Sequence, residues 1–377
     1  MESLVVTVFG DHYRGRRVLV TGHTGFKGAW LTEWLLALGA EVTGLALPPP
    51  TQPALFDQLG LARRIAHHEG DVGELAPVRR VIAEAAPEFI FHLAAQPLVR
   101  RSYAEPVATY RANVMGTVHL LEAARLAGRP CTIVCITTDK AYENREWLHG
   151  YREEDPMGGH DPYSSSKGAA ELAISAYRRS YFSSPSSLIR VASARAGNVI
   201  GGGDWAADRI VPDSIRSLLA GQPIAVRNAL STRPWQHVLE PLSGYLSLGA
   251  QLAAAARSGE ADRLGRLHGA FNFGPALASN RPVGELVTEI LRHWPGQWED
   301  RRDQGAVHEA SLLNLATDKA HHLLAWRPVW DFAMTIGHTV RWYRDQKADP
   351  ARAAELTQAQ IRAYTEHALA LGLCWTR

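Results

Sequence analysis

The stretch Val18-Leu19-Val20-Thr21-Gly22-His23-Thr24-Gly25-Phe26-Lys27-Gly28 constrains this chain more than any other. It opens as a short apolar, β-branched run, the pattern of a buried parallel strand. Three glycines follow at a spacing of three: Gly22, Gly25 and Gly28. Beyond them Leu31, Trp34, Leu35 and Leu38 recur at helical period. Strand, glycine turn and helix together form the context of a dinucleotide-binding fingerprint. Glycine has no Cβ, so the backbone can approach a pyrophosphate. The helix N-terminus then offers it unpaired N–H groups. The spacing is G-x-x-G-x-x-G rather than G-x-G-x-x-G. An ordinary glycine-rich βα turn reads the same way in isolation, so the rest of the chain must decide.

At 377 residues the chain exceeds one compact core. One large domain plus a smaller lobe is expected. The net charge is +2 with no basic block, which excludes nucleic acid as an expected partner. Cys131, Cys135 and Cys374 form no C-x-x-C pair. Cys131 and Cys135 fall on one face of an expected strand and read as small buried hydrophobes in a reducing cytosol. Met1 to Gly15 carries Glu2 and Asp11 without a basic segment, so no signal peptide is expected. The Ala/Leu-rich run Tyr245 to Ala256 is too short to span a bilayer. His67-His68 and His321-His322 lack metal-ligand company. Solvated histidines and no metal site are expected there.

After the first helix, Val42 to Leu47 reads as a second strand. It runs into Pro48-Pro49-Pro50, with neither the acid nor the Arg that would choose between NAD and NADP. Ile65 to Glu69 is a third strand followed by Gly70-Asp71-Val72. Asp71 either accepts a bond from an adenine amino group or serves its own turn. Pro87 to Gln96 is a buried strand running into Ala94 and Ala95, small enough for backbone to pass close to a cofactor. Val107 to Ala127 reads as one helix. Asn113 inside it is a poor helix former and either tethers a loop or is exposed.

Cys131 to Ile136 is the next buried strand, and Thr137-Thr138-Asp139-Lys140 ends it. Ligands of open α/β sheets sit at such carboxyl ends. A long polar, glycine-rich loop, Glu143 to Asp161, leads to Tyr163-Ser164-Ser165-Ser166-Lys167 at the start of a helix. Tyr163 and Lys167 are four apart and share one helix face. A phenol is a poor base at neutral pH, and a Lys cation one turn away favours its phenolate. The same Lys can bond a ribose hydroxyl. Ser187 to Ala194 is a further strand, ending in a glycine-rich loop with Arg195 and Asn198 as polar anchors. Arg227 and Arg233 lie near that loop and suit a diphosphate. Val211 to Leu219 reads as helix, Ile224 to Arg227 as strand and Gly269 to Gly274 as the last core strand. The remainder, rich in Trp, reads as helical, its Trp residues serving core and interface contacts.

These residues are specific enough to carry a resemblance. Thr21 to Gly28, Thr138 to Asn144, Gly158 to Tyr163, Arg195 to Trp205 and Arg233 to Val238 resemble the CDP-glucose 4,6-dehydratases, a branch of the extended short-chain dehydrogenase/reductases. The similarity runs from about Tyr13 to Tyr343. The related dTDP-glucose enzymes have Thr-Asp-Glu where this chain has Thr138-Asp139-Lys140, and the Lys directs the choice of branch.

The resemblance implies an α/β fold, a Rossmann-type doubly wound parallel sheet with a smaller, mostly helical C-terminal substrate lobe. Residues 1–197 with 236–275 would form the NAD-binding domain. Residues 198–235 and 276–377 would form the nucleotide-sugar lobe. It implies NAD as cofactor, CDP-glucose as substrate, a cytoplasmic location and a homodimer or homotetramer. The implied cofactor contacts are Gly22, Thr24, Gly25, Phe26, Gly28, Asp71, Val72, Leu93, Ala94, Ala95, Asn113, Thr137, Tyr163 and Lys167. Gln96, Arg195, Asn198, Arg209, Arg233 and His237 would face the substrate. The implied chemistry is an internal redox cycle: oxidation at C4, loss of water across C5 and C6, and hydride return to C6. Tyr163 would take the C4 hydroxyl proton while Thr138 holds that oxygen. Asp139 would be the acid for C6 and Lys140 the base for C5. Both must then work in the neutral form, the reverse of their ordinary states. A 4-epimerase or decarboxylase shares the Tyr and Lys without needing that pair. A non-catalytic NAD sensor would need none of these residues.

Overall fold

The computed structural model describes residues 8–184, 186–301 and 312–376. Part of the segment read for a leader, residues 1–7, lies outside them.

Seven strands form one wholly parallel sheet: β1 (Arg17–Thr21), β2 (Glu41–Ala46), β3 (Ala66–Glu69), β4 (Phe89–His92), β5 (Cys131–Ile136), β6 (Ile189–Ala196) and β7 (Ala270–Phe273). Their order is β7-β6-β5-β4-β1-β2-β3. Val20 on β1 pairs with Gly44 on one side and Phe91 on the other. The order reverses between β1 and β4, so a crevice opens beyond the carboxyl ends of those strands, where such sheets take ligands.

Among the described residues nine helices reach ten residues or more. They are α1 (Phe26–Ala37), α2 (Leu75–Ala85), α3 (Gly116–Ala127), α4 (Pro162–Tyr181), α5 (Ile210–Leu219), α6 (Leu239–Ser258), α7 (Val283–His293), α8 (Phe332–Ala348) and α9 (Ala353–Ala370). Strand side chains alternate between two cores, as the pleat requires. Leu19, Ile90, Ile133 and Cys135 face Val78, Leu121 and Ile174 from α2, α3 and α4. Val18, Val20, Phe91 and Val134 face α1, α6 and the C-terminal helices. Cys131 and Cys135 lie buried in the first of these cores, on one face as expected.

The unbroken buried run Gly28 to Leu35 on α1 has a simple cause: α9 covers the side of α1 that the sheet does not. Trp34 meets Tyr364 edge to face at 5.8 Å, and Gln358 donates to Glu33 at 2.8 Å. Trp375 lies against Trp34 and stacks on Phe9 at 5.0 Å. Outside the main sheet, short pairs of strands (Val199–Ile200 with Gln236–His237, Thr232–Pro234 with Asn280–Pro282, Ile224–Val226 with Trp298–Asp300) combine with α5, α7 and α8. Trp326, Trp330 and Trp342 are buried, which fits the reading of Trp as core; Trp298 is exposed.

Two local expectations need correcting. The helix expected over 107–127 is broken into Pro106–Tyr110, a π-helical turn at Arg111–Met115, and α3. Such wide turns bring a side chain inward that regular helix would leave outside, and here Asn113 is buried. His67 is not a solvated histidine: its Nδ1 pairs with His23 Nε2 at 2.7 Å beside Phe56. His321 and His322 are exposed. Among the described residues no group of three or more His, Cys, Asp or Glu is placed to hold a metal, and no helix is long and apolar enough to cross a membrane.

Candidate active site

The glycine turn follows β1 directly. Gly22 has φ 75°, and a Cβ there would lie 2.7 Å from the Ala94 amide nitrogen. A Cβ at Gly28 would overlap the Gly22 carbonyl. Gly25 caps α1 in an extended conformation, so the helix begins at Phe26. The result is a backbone cradle at the mouth of a twelve-residue helix, open because it has no side chains. Its N–H groups and helix dipole suit the diphosphate of a dinucleotide. Leu93, Ala94 and Ala95 continue β4 past this cradle. The Thr24 hydroxyl donates to the Leu47 carbonyl at 2.9 Å and fixes the turn against the end of β2. Val72 is buried against Gly116. Asp71 serves its own turn, accepting from Gly73 N at 2.8 Å, and lies 3.4 Å from Arg111.

The second half of the site grows from β5. Thr138 is still extended, and the chain then tightens into a 3-10 turn over Asp139–Ala141. The Thr138 hydroxyl donates to Asp139 Oδ1 at 3.0 Å and accepts from Lys140 N at 3.3 Å. Asp139 is buried, whereas Lys140 remains partly open to solvent. Helix α4 begins beside this turn. Its N-cap Asp161 accepts from Ser164 N at 2.9 Å, and Pro162 sets the first helical residue. That start places Tyr163 inward, close enough to Thr138 for the hydroxyl to act on its phenol. Lys167, one turn on, donates to the Ile136 carbonyl at 3.4 Å.

Charges crowd here. Burial pushes the Tyr163 phenol up to about 12, while the Thr138 hydroxyl and the nearby Arg209 pull the other way. Burial lowers Lys167 to about 8, against the raising influence of Glu171. Arg209 precedes α5 and is held by Asp204 at 2.9 Å. Lys27 completes the group and was not singled out from sequence. Burial, then Lys167 and Arg209, bring it down to about 7, with Asp139 opposing. Its Nζ donates to Tyr245 Oη on α6 at 3.4 Å. One signal was available: Lys27 is the one charged residue between Gly22 and Leu31 of a turn and helix that are otherwise apolar or small.

Several expected ligand contacts are turned inward instead. Arg195 is buried in an ion pair with Glu171 at 2.9 Å and donates to Tyr142 Oη and the Glu153 carbonyl, so it does not face a substrate diphosphate. The Thr137 hydroxyl donates to Glu171 rather than towards a cofactor. Gln96 uses its side chain on Leu98 and Thr109. His237 is fully buried between Trp30 and Trp330 and cannot reach a substrate. Asn113 is the loop tether of the two readings: it accepts from Gln96 N at 2.8 Å and donates to Ser166 Oγ at 2.8 Å. Asn198 lies partly buried in the loop after β6. Arg233 lies on Thr232–Pro234, where it donates to the Thr232 carbonyl at 2.9 Å.

The profile of the GDP-mannose 4,6 dehydratase family matches residues 19–272. The chain belongs to that family. A CDP-glucose 4,6-dehydratase of Salmonella typhimurium is 47% identical over 89% of this chain and 92% of its own length. A UDP-glucose 4-epimerase of Mycolicibacterium smegmatis is 27% identical over 88% and 99%. Among solved structures, a dTDP-glucose 4,6-dehydratase from Streptomyces venezuelae with NAD bound superposes with a TM-score of 0.74. It covers 89% of this chain and 99% of its own at 24% identity, a likeness of fold. The seven-stranded Rossmann-type sheet is the fold this chain shares with that structure.

Proposed function

We propose that this chain is an NAD-dependent nucleotide-sugar 4,6-dehydratase acting on CDP-glucose. The observation that carries the reading is the meeting of Thr138, Asp139 and Tyr163 beside the glycine cradle, with Lys140 following in the same turn. The 47% identity to the Salmonella enzyme supports the choice of base.

The glycine cradle would hold the diphosphate of NAD, and Lys167 a ribose hydroxyl. Bound NAD would supply the acceptor for the C4 hydride and the source of the hydride for C6. The chain's own residues manage the protons. Tyr163, as phenolate, takes the proton of the C4 hydroxyl. Thr138 donates to that oxygen and keeps it in line. Lys167 and Arg209 favour the phenolate through their charge. Once C4 is a ketone, the C5 hydrogen is acidic. Lys140 removes it as a proton while Asp139 gives its proton to the C6 hydroxyl, which leaves as water. Arg209 and Arg233 are the cations offered to the sugar-nucleotide diphosphate.

In this reading residues 1–197 and 236–275 bind the dinucleotide, and 198–235 with 276–377 bind the sugar nucleotide. The active form is a homo-oligomer in the cytoplasm. Val107 is 81% and Leu172 62% exposed on neighbouring helices, with Tyr110 and Met115 beside them. Such a patch is costly to leave in water.

The test is product analysis. The purified protein is incubated with CDP-, dTDP-, GDP- and UDP-glucose. CDP-4-keto-6-deoxyglucose is expected, without net consumption of added NAD. A 4-epimer, or turnover of another base only, overturns the reading.

A further inference from the structure

Beneath the catalytic turn lies a buried ion pair that the chemistry above does not use. The Glu171 carboxylate accepts from Arg195 at 2.9 Å, from Ser193 Oγ at 2.8 Å and from Thr137 Oγ1. Burial alone would raise its pKa, but Arg195 and the hydroxyl donors hold it below the usual carboxylate range. Arg195 reaches the other way and donates to Tyr142 Oη at 2.7 Å. Its guanidinium also lies 4.9 Å over the Tyr142 ring. Tyr142 in turn donates to Asn272 Oδ1 on β7 at 2.7 Å.

Thr137 immediately precedes Thr138, and Tyr142 immediately follows Ala141. The one ion pair therefore grips the residues on either side of the turn Thr138–Ala141. Glu171 also stands one helical turn beyond Lys167 on α4. We infer that the buried Arg195–Glu171 pair is a positioning device, which through Thr137 and Tyr142 holds both ends of the turn that presents Thr138, Asp139 and Lys140.

An aromatic ladder extends the grip outward. Tyr142 stacks on Tyr151 at 5.3 Å, and Tyr151 on Trp147 at 5.6 Å. Arg145 caps the ladder 5.3 Å above Trp147. Arg195 meets the inner ring of the ladder, Tyr142, at 4.9 Å. A buried charge pair is a poor source of net stability, because desolvation offsets its attraction. It is a good source of fixed geometry, because each partner's remaining polar atoms dictate where its neighbours sit. Here those neighbours flank the reacting groups. The inference rests on the dehydratase reading above.

The test cuts the two arms separately and leaves the ion pair intact. Thr137→Val removes the donor before Thr138, and Tyr142→Phe removes the acceptor after Lys140. Thr137→Val should slow C4 oxidation in a single turnover roughly tenfold, with KM within about twofold. Tyr142→Phe should leave C4 oxidation near native and slow solvent-hydrogen exchange at C5 by a similar factor. A merely structural role would lower the melting temperature and slow both steps together. That outcome, or native rates in both variants, overturns the inference. Amide hydrogen exchange over 137–142 gives a readout that needs no turnover. Faster exchange is expected in both variants, and unchanged protection overturns the inference even if the native protein proves inactive on CDP-glucose. Failure of the native protein to dehydrate any sugar nucleotide is the separate failure of the function reading.

Discussion

Lys140 Nζ stands 4.0 Å from Asp139 Oδ1, although the two are consecutive residues. On a strand they would point to opposite faces. The 3-10 turn over Asp139–Ala141 brings them to one side, as one sugar carbon pair requires. Replacing Lys140 by Met should stop elimination while C4 oxidation continues. A lost general base costs about 10²-fold or more. The measurement is C5 hydrogen exchange with solvent during single turnover; elimination at a near-native rate would remove Lys140 from the role of base.

Arg209 is tied to Asp204 and acts on Tyr163 through its charge. A cation nearby lowers a phenol's pKa, so removing it must raise the pKa. In Arg209→Ala the acid limb of the kcat/KM profile should move to higher pH. Arg209→Lys should restore most of the shift. An acid limb that stays in place in the alanine variant separates Arg209 from Tyr163.

Gly28 has no room for a methyl group against the Gly22 carbonyl. Gly28→Ala should weaken NAD binding by at least roughly tenfold, since the cradle must open to admit the Cβ. Calorimetric titration of the cofactor checks this. No Arg lies between Glu41 and Gln52 to meet a 2′-phosphate, so NADP should bind the native protein more weakly than NAD. Tighter NADP binding would refute the cofactor assignment.

Glu240 on α6 is fully buried and accepts from Trp330 N at 2.7 Å, Val329 N at 2.9 Å and Tyr364 Oη at 2.7 Å. Burial raises it to about 7, with those three donors opposing. Between the ordinary carboxylate range and about pH 7 the folded protein therefore holds a proton that the unfolded chain has released. Stability from this group is complete at the acid end of that window and is lost as pH rises through it. The melting temperature of Glu240→Gln, which does not titrate, should gain on the native protein from about pH 5 to about pH 8. A constant difference would mean Glu240 stays ionised throughout.

Val107→Asp places a charge on the most exposed apolar side chain of the helix pair near α4. If that face joins subunits, sedimentation should move from oligomer to monomer. An unchanged sedimentation coefficient would assign the contact to another surface.

The sheet and its cofactor cradle were legible because strand, turn and helix are adjacent in sequence and written in glycine and β-branched residues. The Tyr163–Lys167 pair was legible for the same reason: four residues apart is one helix face. The ion pair was not. Arg195 reads as a polar loop anchor until it meets Glu171, and Tyr142 finds Asn272 only across 130 positions. Periodicity reports that a face is buried, not which partner buries it. His237 was expected to face the substrate only through the family resemblance, yet Trp30 and Trp330 enclose it. The loop Glu143 to Asp161 read as polar and glycine-rich, and Trp147 and Tyr151 within it gave no sign that they stack with Tyr142 just before it. The break at Arg111–Met115 left no mark in an apolar stripe that continues through it.

The outer side of α1, whose first turn helps form the cofactor cradle, is covered by Tyr364 and Trp375. A ribosome makes α1 more than three hundred residues before those rings. Domains generally fold from the N-terminus as they emerge, but this one cannot finish that way. Until those rings emerge, Trp34 has Phe9 beside it but neither of the two rings that complete its cover. A nascent chain stalled before α9 would carry a complete glycine turn on a helix with one bare aromatic flank, a surface that chaperones and other unfinished chains would both find.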